Sequence, residues 1–138
     1  MVNTASENID RPRDWSGHLI LIVEDDFFNY KFLEGLAGMM KAEVIRAENG
    51  KEAVDICLEH QDISIVLMDI QLPGLDGYDA TRIIKESRPD LPVIAVTANA
   101  IPEEKTKSEE AGCDRFITKP IDIFEIKAMV GDLLARLK

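Results

Sequence analysis

Little in this sequence could staple the chain or tether it to a bilayer. It has two cysteines, Cys57 and Cys113, with no CxxC pair and no further ligand at metal spacing. That argues against a disulfide framework or a zinc site, and both thiols read as reduced core residues. No apolar stretch approaches the length of a membrane span, and the opening MVNTASENIDRPRDWSGH holds no apolar run of the secretory kind. A soluble cytoplasmic chain with no membrane contact is the expectation. Aromatics make up only 6% of residues, and 16 Lys+Arg stand against 26 Asp+Glu, a net charge of −10. Nucleic acid is therefore not an expected partner, because its phosphates would be repelled. Phe27, Phe28 and Tyr30 have no basic patch beside them and read as packing residues, not as a base-stacking platform.

What is present is a 46% hydrophobic content, too high for a disordered chain, in 138 residues. That length supports one well-buried domain and not two. Residues 1–17 are polar and aperiodic and read as a flexible leader or linker, with Trp15 the one residue there able to dock onto the domain. Residues 18–138 form that domain. His18–Val23 (HLILIV) is continuously apolar and ends abruptly in Glu24-Asp25-Asp26. Continuous rather than alternating hydrophobicity predicts a strand buried on both faces, as in a parallel sheet. Helical spacing follows at Leu33, Leu36, Ala37 and Met40. Then come a short apolar piece over Glu43–Ala47, a helix after Asn49-Gly50 carrying Ala53, Val54, Cys57 and Leu58, and a strand over Ile63–Met68. After the QLPGLDG loop the pattern gives a helix with Ala80, Ile83 and Ile84 and strands over Leu91–Val96 and Arg115–Thr118. The last helix carries Ile126, Met129, Val130, Leu133 and Leu137. Short connections between five β/α units predict a doubly wound parallel sheet with helices on both faces. The segment Pro102–Glu110 (PEEKTKSEE) permits a helix but holds no apolar residue, which predicts the least tightly packed helix of the set.

In open parallel sheets, sites form beyond the carboxyl ends of the strands. Those ends carry Glu24-Asp25-Asp26, Asp69, Thr97 and Lys119-Pro120. If the first and third strands are neighbours, Glu24, Asp25 and Asp69 converge, and the like charges call for a cation or a retained proton. Mg²⁺ suits oxygen ligands of this kind. Lys119 and the Thr97 hydroxyl add a positive charge and a donor, a set fitted to phosphoryl transfer by positioning and electrostatics, with a carboxylate as nucleophile.

The series VEDD, LMDIQLPGLDG, VTANA and FITKPI, in this order and spacing, resembles the receiver domain of two-component response regulators. The match runs from about Leu19 to Leu137, and VEDD with Asn29, MDIQLPG and TANA look most like receivers of hybrid histidine kinases. The resemblance implies a flavodoxin-like strand order 2-1-3-4-5 and a phosphoacceptor role for Asp69. It also implies a Mg²⁺ site in which Asp25 and Asp69 are direct ligands, Glu24 acts through water and the Gln71 carbonyl is the third protein ligand. Thr97 matches the switch hydroxyl, Lys119 the phosphate-binding lysine, and Lys119–Pro120 a cis bond. Phe116 stands at the switch-aromatic position, where it lacks the hydroxyl of a tyrosine. The implied partner is a histidine kinase or histidine phosphotransfer domain. The surface of the fourth helix, fifth strand and fifth helix would change partner preference on phosphorylation and could serve a homodimer.

Other classes fit less well. An aspartate-nucleophile phosphohydrolase wants a DxDxT strand end, and Asp69 is followed by Ile70-Gln71-Leu72. A flavin carrier wants a Ser/Thr/Gly-rich loop where this chain has EDD. A structural receiver not regulated by phosphorylation would not need the intact acid–Thr–Lys set. Asp26 reads as a helix cap, Asp76-Gly77 as turn chemistry and a helix start, and His18 and His60 as surface residues.

Overall fold

The computed structural model describes residues 14–137. Five strands, β1 (Leu19–Val23), β2 (Glu43–Ala47), β3 (Ile63–Asp69), β4 (Val93–Thr97) and β5 (Arg115–Thr118), form one parallel sheet in the order 2-1-3-4-5. Five helices connect and follow them: α1 (Phe27–Met39), α2 (Gly50–Glu59), α3 (Gly77–Ser87), α4 (Pro102–Ala111) and α5 (Ile123–Ala135).

The period of two along each strand sorts the core into halves. Ile20, Ile22, Ile65, Leu67, Ile94 and Val96 face α1 and α5, which contribute Leu33, Leu36, Ile126, Val130 and Leu133. Leu21, Val23, Val66, Met68, Val93 and Ala95 face the other way, toward α2, α3 and α4 with Ala53, Cys57, Ala80, Ile84 and Ala111. Both sheet faces are thus covered, which is why the strands read as unbroken apolar runs. After β1 the chain crosses one way to β2 and then the other way to β3. The crevice this reversal leaves opens above the carboxyl ends of β1 and β3.

Local chemistry sets the helix starts. Asp26, Asn49, Asp76 and Asp122 each accept hydrogen bonds from backbone N–H groups of the first turn that follows. Gly77 sits so close to the end of β3 that a Cβ there would stand 2.4 Å from the Asp69 carbonyl oxygen. A side chain at that position would push directly on the strand end. The Arg88 guanidinium donates to the carbonyls of Cys57, His60, Gln61 and Ile63, tying the end of α2 to the start of β3.

Several expectations need adjustment. Phe27 and Phe28 do not pack into the core: they are 56% and 80% exposed. Asp26 starts the helix immediately before them, so they form its first turn, where their rings meet edge to face and Lys31 Nζ stands 5.9 Å from the Phe27 ring centroid. Tyr30, two residues after Phe28, is buried. Leu58 and Ile83 also lie on the solvent side of their helices. β4 begins at Val93 and not Leu91, because the Pro92 carbonyl accepts the Val66 N–H but Pro92 has none to give. Trp15, in the segment read as a leader, is 2% exposed. Its backbone N–H donates to the Met40 carbonyl at 2.6 Å, and its ring joins the α1/α5 half of the core. Residues 1–13 of that segment lie outside the described residues. Cys57 is buried and Cys113 half-buried, and both are free thiols. Among the described residues, no helix is long and apolar enough to cross a membrane.

α4 is the thinly packed helix its composition predicts. Its buried residues are Ser108 and Ala111, and it has no side-chain N-cap. The Tyr78 hydroxyl of α3 reaches its first turn, donating to the Glu104 side chain at 2.7 Å.

Two outcomes follow. Trp15→Ala should cost about 3 kcal/mol of stability in denaturant unfolding, as for other buried Trp truncations; a change below about 0.5 kcal/mol would show the core to begin only at β1. Amide hydrogen exchange should be faster across residues 105–110 of α4 than across residues 126–134 of α5, and equal protection would contradict the packing difference.

Candidate functional site

The crevice gathers side chains from three strand ends. Glu24 and Asp25 follow β1 directly, Asp69 is the last residue of β3, and Lys119 follows β5. The two central acids are buried, Glu24 at 2% exposure and Asp69 at 4%, while Asp25 is exposed. Carboxylate oxygens of Glu24, Asp25 and Asp69 lie within 4.8 Å of one another. Lys119 Nζ stands 3.3 Å from Glu24 Oε1 and 3.3 Å from Asp69 Oδ2, bridging the two buried acids. Asp69 Oδ1 accepts the Gln71 N–H at 3.0 Å, and Glu24 Oε2 accepts the Asp26 N–H at 3.1 Å. Each buried carboxylate is therefore held at both oxygens, one by the ammonium and one by the backbone.

The electrostatics are opposed. Burial is the largest influence on Glu24, and together with the neighbouring Asp69 it outweighs the Asp26 N–H and Lys119, raising the carboxyl from about 4.5 to about 7. Burial alone would lower Lys119, but the Asp69 and Glu24 carboxylates overcome it and raise the ammonium. The lysine is thus firmly charged, and the acids still carry more negative charge than it cancels.

The other sequence-predicted residues sit around this cluster. Thr97 closes β4 beside β3, buried, with its hydroxyl accepting the Asn99 N–H at 3.1 Å and its carbonyl accepting the Lys119 N–H at 2.7 Å. Among the described residues no hydrogen bond joins the Thr97 hydroxyl to Asp69 or Lys119. Phe116 lies on β5 opposite Ala95 and packs against the α2–α4 half of the core, half-buried and away from the acids. Gln71 is exposed in the loop after β3. The Lys119–Pro120 bond is cis. A cavity of about 310 Å³ adjoins the cluster, lined by Glu24, Asn29, Phe32, Lys119, Pro120 and Ile121. Sequence reasoning does not pick out Arg46, which donates to the Glu24 and Asp25 carbonyls. The available signal was a basic residue near the end of the strand flanking the acidic end of β1.

A cluster of buried and exposed carboxylates with one lysine, at the switch point of a doubly wound sheet, defines a class: acidic-pocket modules of the receiver kind. Residues 20–131 match the response regulator receiver domain family, and the chain belongs to it. It is a receiver module of two-component signalling. Its relatives include the polar-differentiation response regulator DivK of Brucella anthropi, 39% identical over 119 residues that cover 82% of this chain and 96% of that protein. The DivK of Brucella ovis is 38% identical over the same coverage. Among solved structures, the receiver domain of a sensor histidine kinase from Pseudomonas aeruginosa superposes with a TM-score of 0.79 and 32% identity, covering 87% of this chain and 99% of that one. That structure has a magnesium ion coordinated in its active-site cleft. A chain of the Saccharomyces cerevisiae complex between the histidine phosphotransfer protein Ypd1 and the receiver domain of Ssk1 superposes with a TM-score of 0.80 and 27% identity, covering 86% and 89%.

The raised Glu24 pKa has a sign that can be measured. A group whose folded pKa lies above its unfolded value stabilises below the unfolded pKa, and that contribution is lost as pH rises through the folded one. In EDTA, wild type should therefore lose stability relative to Glu24→Gln between pH 4.5 and about 7. Thermal melts of the two proteins across that range check it, and a difference that stays flat or runs the other way would contradict the assignment.

Proposed function

We propose that Asp69 is the phosphoacceptor of this receiver, taking a phosphoryl group from a phosphohistidine on a histidine kinase or histidine phosphotransfer domain. The observation that carries this reading is the placement of Asp69, buried and flanked within 4.8 Å by Glu24 and Asp25, with Lys119 at 3.3 Å. In the reaction the phosphorus–nitrogen bond of the donor breaks as a phosphorus–oxygen bond to an Asp69 carboxylate oxygen forms, and the imidazole leaves. No external oxidant or co-substrate is needed.

The donor set fits a divalent cation: three carboxylates crowd together and one lysine does not neutralise them. Glu24, Asp25, Asp69 and the Gln71 carbonyl would hold Mg²⁺, with Glu24 acting through water. When bound, the ion supplies positive charge against the phosphoryl oxygens. Lys119, tethered to both buried acids, keeps an ammonium beside the accepting carboxylate and stabilises charge on the incoming group. The Gln71 N–H orients the Asp69 carboxylate through Oδ1. The self-catalysed character of the transfer and of the later hydrolysis rests on these same groups, with no further enzyme activity required of the chain.

Thr97 and Phe116 form the switch. Rotation of the Thr97 hydroxyl from the Asn99 N–H to a phosphoryl oxygen would draw in the β4–α4 connection. Phe116 would then turn inward, as a ring with no hydroxyl to hold it at the surface. α4, anchored by little beyond Ser108, Ala111 and the Tyr78–Glu104 bond, is the element free to shift. The α4–β5–α5 surface then changes its preference for partners, a second copy of this chain among them. The phosphohydrolase reading has no DxDxT motif to support it.

Incubation with acetyl phosphate and Mg²⁺ should label wild type with one base-labile, hydroxylamine-sensitive phosphoryl group, and Asp69→Asn or EDTA should abolish it. Labelling of Asp69→Asn equal to wild type would place the acceptor elsewhere.

A further inference from the structure

Arg46 is the fourth residue of β2, the edge strand beside β1, in register with Ile22. Its guanidinium folds over the end of β1. Nε and Nη2 donate to the Glu24 carbonyl at 3.3 and 3.1 Å, and Nη2 also donates to the Asp25 carbonyl at 3.3 Å. From the other side it rests on Tyr30, with Cζ 4.6 Å from the ring centroid, and the Tyr30 hydroxyl donates to Glu34 at 2.9 Å. Stacking and forked donation together leave the side chain little freedom.

The groups it holds are the ones that aim Asp25. In the loop after β1, the Glu24 N–H continues the ladder onto the Ala47 carbonyl, the Asp26 N–H goes to the Glu24 carboxylate, and the Asp26 carbonyl accepts the Tyr30 N–H. The two intervening carbonyls, of Glu24 and Asp25, go to Arg46. Those carbonyls belong to the two peptide units on either side of the Asp25 Cα. Because a peptide unit is planar, fixing both carbonyls fixes both backbone torsions of Asp25 and so the direction in which its side chain leaves. Asp25 is exposed and Lys119 does not bridge it, so its own surroundings do little to aim it.

We propose that Arg46 is a positioning residue for the divalent-cation site, locking the peptide planes around Asp25 so that its carboxylate meets those of Glu24 and Asp69. The inference rests on the metal reading above. A guanidinium could also act on the site by charge alone, and the two roles have opposite signs. Removing a positive charge beside a cation site tightens cation binding, whereas removing a lock on a ligand weakens it. Lysine keeps the charge but lacks the fork that serves two carbonyls at once.

The test is a Mg²⁺ titration of the full chain, followed through backbone amide NMR shifts of residues 24–26 and 69–71, for wild type, Arg46→Gln, Arg46→Lys and Asp25→Asn. Thermal melts verify folding, and Arg46→Lys carries the test if Arg46→Gln does not fold. Both Arg46 variants should bind Mg²⁺ about tenfold more weakly, the low end of what loss of an outer-sphere partner costs. The metal-free Asp26 amide should also exchange faster in both variants, while β1 is unchanged. Arg46→Gln binding more tightly than wild type, or Arg46→Lys matching it, would overturn the positioning role. Wild type without a Mg²⁺ response, or Asp25→Asn responding as wild type does, would overturn the metal reading beneath it.

Discussion

Two buried carboxylates held side by side are the constraint around which the rest of this molecule is arranged. Glu24 and Asp69 project from the ends of adjacent strands, nearly without solvent, with oxygens inside 4.8 Å of each other. At an effective dielectric constant of about 20, two unit charges at that separation repel by roughly 3 kcal/mol. The fold does not remove that repulsion. It balances it locally with the Lys119 ammonium and backbone N–H groups from Asp26 and Gln71, and lets Glu24 rise to about 7. A pocket in this condition is short of positive charge, and a divalent cation or a bridging phosphoryl–cation assembly relieves the shortage.

Each layer of the structure serves that pocket. The apolar strands must pair in parallel and be covered on both faces, which sends the crossovers opposite ways from β1 and opens the crevice above it. Gly77 lets α3 start against the Asp69 carbonyl, and Arg88 ties the entry of β3 to the end of α2, so the strand bearing Asp69 is braced at both ends. The braced side contrasts with α4, whose polar sequence leaves it few buried contacts. Rigidity at the acids and looseness one strand away are what a switch needs: chemistry at a fixed point and a response in an element of low local stability.

Much of this was legible in the sequence because it depends on local or repeating patterns. The runs LILIV and IVLM predict strands buried on both faces, and the residues after them predict where carboxylates meet. Asp26 and Asp76 announce helix starts and do cap them. PEEKTKSEE predicts a weakly packed helix and forms one. What was not legible depends on contacts distant in sequence. Phe27 and Phe28 are exposed in the first turn of α1, set there by the Asp26 cap, and the helical spacing of the later apolar residues does not report on that turn. Burial of Trp15 depends on its docking at the end of α1, through the Met40 carbonyl, into the half of the core that α1 and α5 cover. Arg46 joins the site only because β2 lies next to β1, a neighbour relation set by topology, and Tyr78 reaches Glu104 across two helices.

The most direct test of the account is a crystal structure of the chain with Mn²⁺ and beryllofluoride, a mimic of the acyl phosphate. Beryllofluoride should sit on an Asp69 carboxylate oxygen, contacted by Lys119 Nζ and the Thr97 hydroxyl. The cation should sit on Asp25, Asp69 and the Gln71 carbonyl, with Arg46 still on the Glu24 and Asp25 carbonyls. Beryllofluoride on another carboxylate, or a crevice that holds neither group at saturating concentration, would contradict it.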